Sequence, residues 1–390
     1  MMEPIWNFDK LTYEIFSILE TKFLFSPSSP AAAAAGGGGG KVRILSIDAS
    51  GDAILAAVCL SRLEASLRKR SSNPSALISD FFDLAAGSGA GGFLAALLFT
   101  PRPDGSPPIS ADEALRILIK NRRRISPSPG ILWSPRRVFR RAFGSATLRD
   151  AVRPVLIPCY DLRTRAPFMF SRADAVEAEG YDFRVRHVCA ATCDVKRVES
   201  VDGGTRIEAV GGGVAMGNPA AAAVTHVLNN GQEFPFAAGV EDLLLLSIGG
   251  GEVANAAVAP PSTAELVPIA GKGHADMANG LSPARMSKCK SKSGPSETRK
   301  LVEMAEEVLA QRNVESVLFR GKKISEQSNG EKLEWFSGEL IKEQERRKSC
   351  CNTTKTPAVV IKQVITPKTS RTSSTITTIS TSSLSSTSFP

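Results

Sequence analysis

The chain has 390 residues, 42% of them hydrophobic and 22% charged, which is apolar material for one large domain or two ordinary ones and excludes wholesale disorder. Forty-eight Lys and Arg against 39 Asp and Glu leave a formal charge of +9, an excess that favours anionic surfaces. Aromatic residues make up only 6% and do not alternate with the basic runs, so nucleic acid is not the expected partner.

Residues 8–25 space Leu11, Ile15, Leu19 and Phe23 four apart and predict an amphipathic helix within residues 1–25. The acids Glu3, Asp9, Glu14 and Glu20 argue against a secretory signal there. Residues 26–40, SPSSPAAAAAGGGGG, predict a flexible linker. A buried strand is expected at 42–47, followed by a helix over 54–70. The pattern then recurs: a strand at 81–85, a tight glycine turn at 87–92 and a helix at 93–99. Residues 116–141 carry nine cations and no acid.

Strands are expected at 152–158 and 167–170, and a strand or helix entry at 185–191. Segments 198–201 and 206–210 flank Asp202-Gly203-Gly204-Thr205 and predict a β-hairpin. Residues 218–229 predict a helix with Pro219 in its first turn, and 243–248 a fully apolar strand. Residues 252–297 are rich in Ala, Pro, Gly, Ser and Lys and predict a long loop. A helix with Ser296 as its cap follows to residue 311, and a second charged helix is expected at 331–348. Residues 349–390 are dominated by Ser and Thr and predict a disordered tail. Strands alternating with helices over 41–348 imply a single α/β domain, a three-layer sandwich with a mostly parallel sheet.

Seven cysteines, at 59, 159, 189, 193, 289, 350 and 351, suit neither a disulfide scaffold nor a zinc site. A reducing, cytoplasmic setting is the simplest expectation. Residues 84–99 are uncharged but hold four glycines and fall short of the roughly 20 residues a membrane span needs. His187, His226 and His274 form no metal or triad set, and no cofactor is expected. Cys189 and Cys193 are expected as buried small hydrophobes.

The informative segment is FFDLAAGSGAGGFLAALLF, residues 81–99. A strand, alternate glycines and an apolar helix are the layout of a nucleophile elbow, in which G-x-S-x-G holds a serine on a sharp turn. Gly87, Gly89 and Gly91 take that spacing, with Ser88 and Ala90 between them, so the apex is a glycine. The same string matches G-x-G-x-x-G through Gly87, Gly89 and Gly92, a dinucleotide-binding pattern, but no acid stands about 20 residues on at a strand end. Close packing of glycines alone is a third reading.

Three segments in order resemble the patatin-like phospholipase family. VRILSIDASGDAILAAVCLSRLE is similar to its first strand and Asp-Gly-Gly-Gly-x-Arg-Gly oxyanion loop. FDLAAGSGAGGFLAALL is similar to its Gly-x-Ser-x-Gly elbow, and IEAVGGGVAMGNPAAAAVTHVL to its Asp-Gly-Gly segment and the helix that follows. LIPCYDLRTRAPFMFSRADA further resembles the plant group III patatin-related proteins, whose elbows are altered. The resemblance implies a lipid acyl hydrolase scaffold acting on phospholipids or galactolipids.

Carried over by position, the resemblance exposes losses. In the oxyanion loop, Asp48 and Gly51 match, but Ala49 and Ser50 replace glycines, and Asp52, Ala53 and Ile54 replace a valine-like residue, arginine and glycine. Asp52 would repel an oxyanion. The nucleophile position is Gly89 and the dyad aspartate position is Gly211. Removing a serine nucleophile costs about 10⁶ in turnover, roughly 8 kcal/mol. Two substitutes are considered: Ser88, one residue from the apex, and Asp202, otherwise a hairpin-turn residue.

The expected function is therefore a patatin-like scaffold with a degraded centre, acting as a lipid-binding regulator. The alternatives are a weak acyl hydrolase with a nonstandard site and a nucleotide-binding protein. Anionic membrane contact is expected through Arg122, Arg123, Arg124, Arg136 and Arg137, each cation contributing about 1 kcal/mol. Vicinal Cys350 and Cys351 after Arg346, Arg347 and Lys348 suit palmitoylation beside a basic cluster, which places the protein at the periphery of the plasma membrane.

Overall fold

β1 (Val42–Ala49) is apolar along most of its length because both of its faces are covered. Val42 and Ile44 enter one hydrophobic cluster, whereas Leu45, Ile47 and Ala49 enter another. Side chains alternate across a strand, and that period divides the residues between two layers. β1 pairs in parallel with β2 (Leu84–Gly89), and β2 pairs in parallel with β3 (Val155–Asp161). β4 (Ala166–Ser171) and β6 (Arg206–Gly211) run antiparallel to β3, and β5 (Lys196–Glu199) antiparallel to β6. On the other edge of β1 lies β7 (Leu243–Gly249), again parallel. The seven-stranded sheet has the order β5-β6-β3-β2-β1-β7, with β4 beside β3.

This computed structural model describes residues 40–49, 53–125, 135–193, 196–211, 218–249, 252–254, 285–287, 295–317 and 321–353. The N-terminal amphipathic helix, all but the last residue of the linker, and the tail beyond 353 lie outside the described residues.

One face of the sheet carries α1 (Ile54–Ser71), α2 (Ala90–Phe99), α3 (Ala111–Ile125), α4 (Arg136–Phe143), α5 (Arg172–Glu177) and α6 (Val185–Cys193), whose apolar residues share the larger cluster. On the other face, α7 (Pro219–Asn229) lays Ala222, Ala223 and Val227 on Val42, Ile44, Leu84, Ala86 and Leu156. Its start is fixed locally: the Asn218 side chain accepts the Ala221 amide at 3.0 Å, and Pro219 occupies the first turn. Helices on both faces of a largely parallel sheet make the expected three-layer α/β architecture.

Several elements differ from the sequence-based expectation. The strand expected at 81–85 is displaced to Leu84–Gly89, and the six-residue glycine turn does not exist. Pairing with β1 continues through Asp48 with Ser88 and Ala49 with Gly89, so ladder bonds override the low strand preference of glycine. Within 252–297, β8 (Glu252–Ala254) and β9 (Arg285–Ser287) form a short parallel pair. α8 (Pro295–Ala310) begins one residue ahead of the expected Ser296 cap, at a proline whose missing N–H costs nothing in a first turn. An unanticipated hairpin of β10 (Arg312–Val317) and β11 (Gly321–Ser328) follows. α9 (Asn329–Thr353) runs past residue 348 and includes Cys350 and Cys351.

α9 is fastened at both ends of its buried stripe. Phe336 stacks on Phe82 at 6.4 Å, and Ser337 and Ser66 share a hydrogen bond of 2.8 Å. Nearer its C-terminus, Arg347 donates to both carboxylate oxygens of Asp83 at 2.8 and 2.7 Å. Arg43 grips the same carboxylate through its backbone N–H and guanidinium at 2.9 Å each. Glu343 accepts the Lys41 amide at 2.8 Å and Arg347 Nε at 3.0 Å. Burial alone would raise the Asp83 carboxyl, but Arg347 and Arg43 outweigh it and hold it well below the usual carboxylate range.

Candidate functional site

The elbow is a strand end joined directly to a helix. Gly89 is the last residue of β2 and the cap of α2, with φ 57° and ψ −130°. A residue with a side chain would be strained there by about 1–3 kcal/mol. The backbone thus has the sharp strand-to-helix turn that presents a nucleophile, and the residue at its apex has nothing to present.

The neighbouring glycines answer a packing need. A Cβ on Gly87 would lie 2.6 Å from the Gly91 carbonyl oxygen, and one on Gly92 would lie 2.9 Å from the carbonyl oxygen of Gly87. Gly91 is pressed in the same way against the Ile47 carbonyl. These contacts bring α2 onto the ends of β1 and β2. They also account for the match to a dinucleotide pattern, since no loop separates strand from helix to wrap a diphosphate.

Gly211 comes to the same place by another route. β3 pairs with β2 through Val155 and Leu156, and with β6 through Cys159 to Asp161. Because β4 occupies the opposite edge of β3 over both stretches, β6 continues the edge that β2 leaves after Ala86. α6 closes over this junction with its Thr192. The Gly89 amide donates to Thr192 Oγ1 at 2.8 Å, while a Cβ on Gly211 would collide with the Thr192 carbonyl oxygen. Both glycines therefore abut one buried threonine. No sequence motif points to Thr192; its only signal is a position next to Cys193, in a helix whose partner is not legible locally.

Ser88 and Asp202 lie in different settings. Ser88 is 1% exposed, and its Oγ donates to Asp48 Oδ1 at 3.2 Å across the β1–β2 pair. Asp202 is at the tip of the β5–β6 hairpin, where it accepts Ser200 Oγ at 2.5 Å and the Gly204 amide at 3.0 Å. Those bonds lower its carboxyl below the ordinary value and tie it to its own turn. Ala49 ends β1, while Ser50, Gly51 and Asp52 lie outside the described residues. Ala53 and Ile54, at the positions of the family's arginine and glycine, are buried apolar residues at the start of α1.

Cys159 stands opposite Gly211 in the sheet, and Cys189 is on α6. Burial pushes both thiols far above their ordinary value, so neither supplies a thiolate nucleophile. Cys189 is fully buried, as expected, and Cys193 is half-buried. His226 is 3.8 Å from Glu233 on the α7 side of the sheet. Among the described residues, no group of three His, Cys, Asp or Glu is arranged to hold a metal ion.

No family model matches the sequence. Comparison with individual proteins is decisive instead. "Patatin-like protein 3" of Oryza sativa is 47% identical, covering 87% of this chain and 92% of its own. "Patatin-like protein 7" of Arabidopsis thaliana is 41% identical over 94% of this chain and 86% of its own. The chain belongs to the patatin-like proteins. A further relative, "Probable inactive patatin-like protein 9" of Arabidopsis thaliana, is 36% identical over 86% of this chain and 93% of its own.

Three cationic clusters of this patatin-like chain have different surroundings. Arg116, Lys120 and Arg124 are exposed on α3, and Arg122 and Arg124 already have partners. The side chain of Arg123 lies outside the described residues. On α4, Arg136, Arg137, Arg140 and Arg141 are exposed, while Val138, Phe139 and Phe143 are buried. The cluster ahead of Cys350 and Cys351 is largely committed within the fold: Arg346 pairs with Glu343 at 2.6 Å, and Arg347 with Asp83. Among the described residues, no helix is long and apolar enough to cross a membrane.

Proposed function

We propose that this patatin-like protein binds phospholipid or galactolipid on a lipid acyl hydrolase scaffold without cleaving it, and regulates lipid metabolism as a cytoplasmic protein at a membrane surface. The observation that carries the reading is the arrangement of Gly89, Thr192 and Gly211. Acyl transfer needs an oxygen nucleophile on the elbow and a group to take its proton. At the elbow there is only a backbone, its amide turned to Thr192 Oγ1, and at the carboxylate position the chain leaves no room for a side chain. The relative whose printed name includes "inactive" is consistent with that reading. The test is to incubate the purified chain with phosphatidylcholine and with a galactolipid. Fatty acid should stay at the blank level while either lipid raises the melting temperature. Release at the rate of an active patatin would overturn it.

A second reading, a weak acyl hydrolase with a nonstandard pair, rests on one contact. Ser88 and Asp48 form a serine–aspartate hydrogen bond one residue from the apex. Ser88 is buried, so the elbow would have to open before a lipid ester reached it. Activity abolished by Ser88→Ala and unaffected by Asp202→Asn would favour this reading. Activity indifferent to both substitutions would mark a contaminant.

A further inference from the structure

α4 is a two-turn helix, RRVFRRAF, divided sharply between apolar and cationic faces. Phe139 and Phe143 are buried against Phe93 of α2, with ring centroids 4.8 and 5.8 Å apart. Arg137, Arg140 and Arg141 stand three and four residues apart, which places them on one exposed side. Among the described residues, none of the three is held in an ion pair with an acid. α6 packs against α4; Arg184 stands just ahead of it and Arg186 lies in its first turn. Arg186 donates to the Gly144 carbonyl at 2.7 Å, so its charge is not neutralised by that contact. His187 registers the resulting field: burial first, then Arg186, Arg184 and Arg136, lower its imidazole below the ordinary value.

We propose that Arg137, Arg140 and Arg141, with Arg184 beside them, form a docking surface for the phosphate headgroups of an anionic phospholipid bilayer. The partner follows from charge and from what the face lacks. Guanidinium groups on one side of a helix match an array of phosphates. The two aromatic rings of α4 face the core, leaving no platform on which nucleic-acid bases could stack. The face is also carried by the helix whose Phe139 and Phe143 pack on Phe93 of α2, the helix that begins at the elbow glycine Gly89. The inference rests on the proposed reading of a protein at a membrane surface and names the face that meets it; loss of vesicle binding would overturn this face alone, since lipid held inside the scaffold is read separately by the melting temperature.

The test is sedimentation of the full chain with vesicles of phosphatidylcholine alone and with vesicles containing phosphatidylserine. Binding is expected only to the anionic vesicles and should weaken with added salt. The variant R137Q/R140Q/R141Q removes three cations worth about 1 kcal/mol each, so its affinity should fall about 100-fold. These positions are exposed, and an unchanged melting temperature would show that the fold is kept. R197Q/R206Q, which alters arginines already paired with Glu208 and Glu199, should bind as the wild type does. Equal binding to both vesicle types, undiminished binding by the triple variant, or tighter binding to a short RNA duplex than to anionic vesicles would each overturn the proposal.

Discussion

The Gly89 amide donates to Thr192 Oγ1 at 2.8 Å, and so the strand-to-helix turn between β2 and α2 is tied to a neighbouring helix. The hydroxyl satisfies a buried donor that would otherwise be costly to leave unmade. Thr192→Val should therefore destabilise the protein by about 1–3 kcal/mol, whereas Thr192→Ser, which keeps the oxygen, should cost less. Urea unfolding of the two variants side by side measures the difference.

Restoring the missing groups should not restore a hydrolase. Gly89→Ser puts a side chain at a positive φ, at a cost of about 1–3 kcal/mol. Gly211→Asp drives a Cβ into the Thr192 carbonyl and adds overpacking of about 1–3 kcal/mol or more. The expected outcome for the double variant is a lowered melting temperature and no fatty acid release. Release by the double variant at an unchanged melting temperature would mean that the centre was emptied without being rebuilt.

The hold on α9 gives a pH dependence with a definite sign. The Asp83 carboxyl is held below its unfolded value, so its contribution is fully present above about pH 4 and is lost as pH falls toward the folded value. Asp83→Asn leaves Arg43 and Arg347 facing a neutral amide in a partly buried site and should cost about 3 kcal/mol at pH 7. The gap between wild type and variant should narrow at pH 3. Denaturant midpoints at the two pH values test this.

Phe93 connects the elbow helix to the cationic one. It is fully buried, with Phe139 and Phe143 on it. Phe93→Ala should cost about 3–5 kcal/mol and should increase proteolysis within 136–143 ahead of global unfolding.

Much of this architecture is legible in the sequence because its signals are local. The aliphatic runs of β1 and β7, the Asn218-Pro219 start of α7 and the Asp-Gly-Gly hairpin each carry their own physical cause, and each folds as read. What is not legible depends on neighbours distant in the chain. Gly87 and Gly89 read as a turn because nothing local reveals that β1 extends their ladder. Thr192 cannot be found from a motif, since its role comes from two glycines more than a hundred residues and nineteen residues away, which the fold brings together. Arg347 reads only as part of a basic cluster at the end of a charged helix until Asp83, far off in the sequence, is placed against it. The β10–β11 hairpin is not legible because its residues alternate too little between apolar and polar.

The most direct test is fatty acid release from mixed phosphatidylcholine and galactolipid micelles by the purified wild-type chain, with Ser88→Ala measured beside it. Both proteins should stay at the level of the protein-free blank. Steady turnover by the wild type that disappears in Ser88→Ala would contradict it.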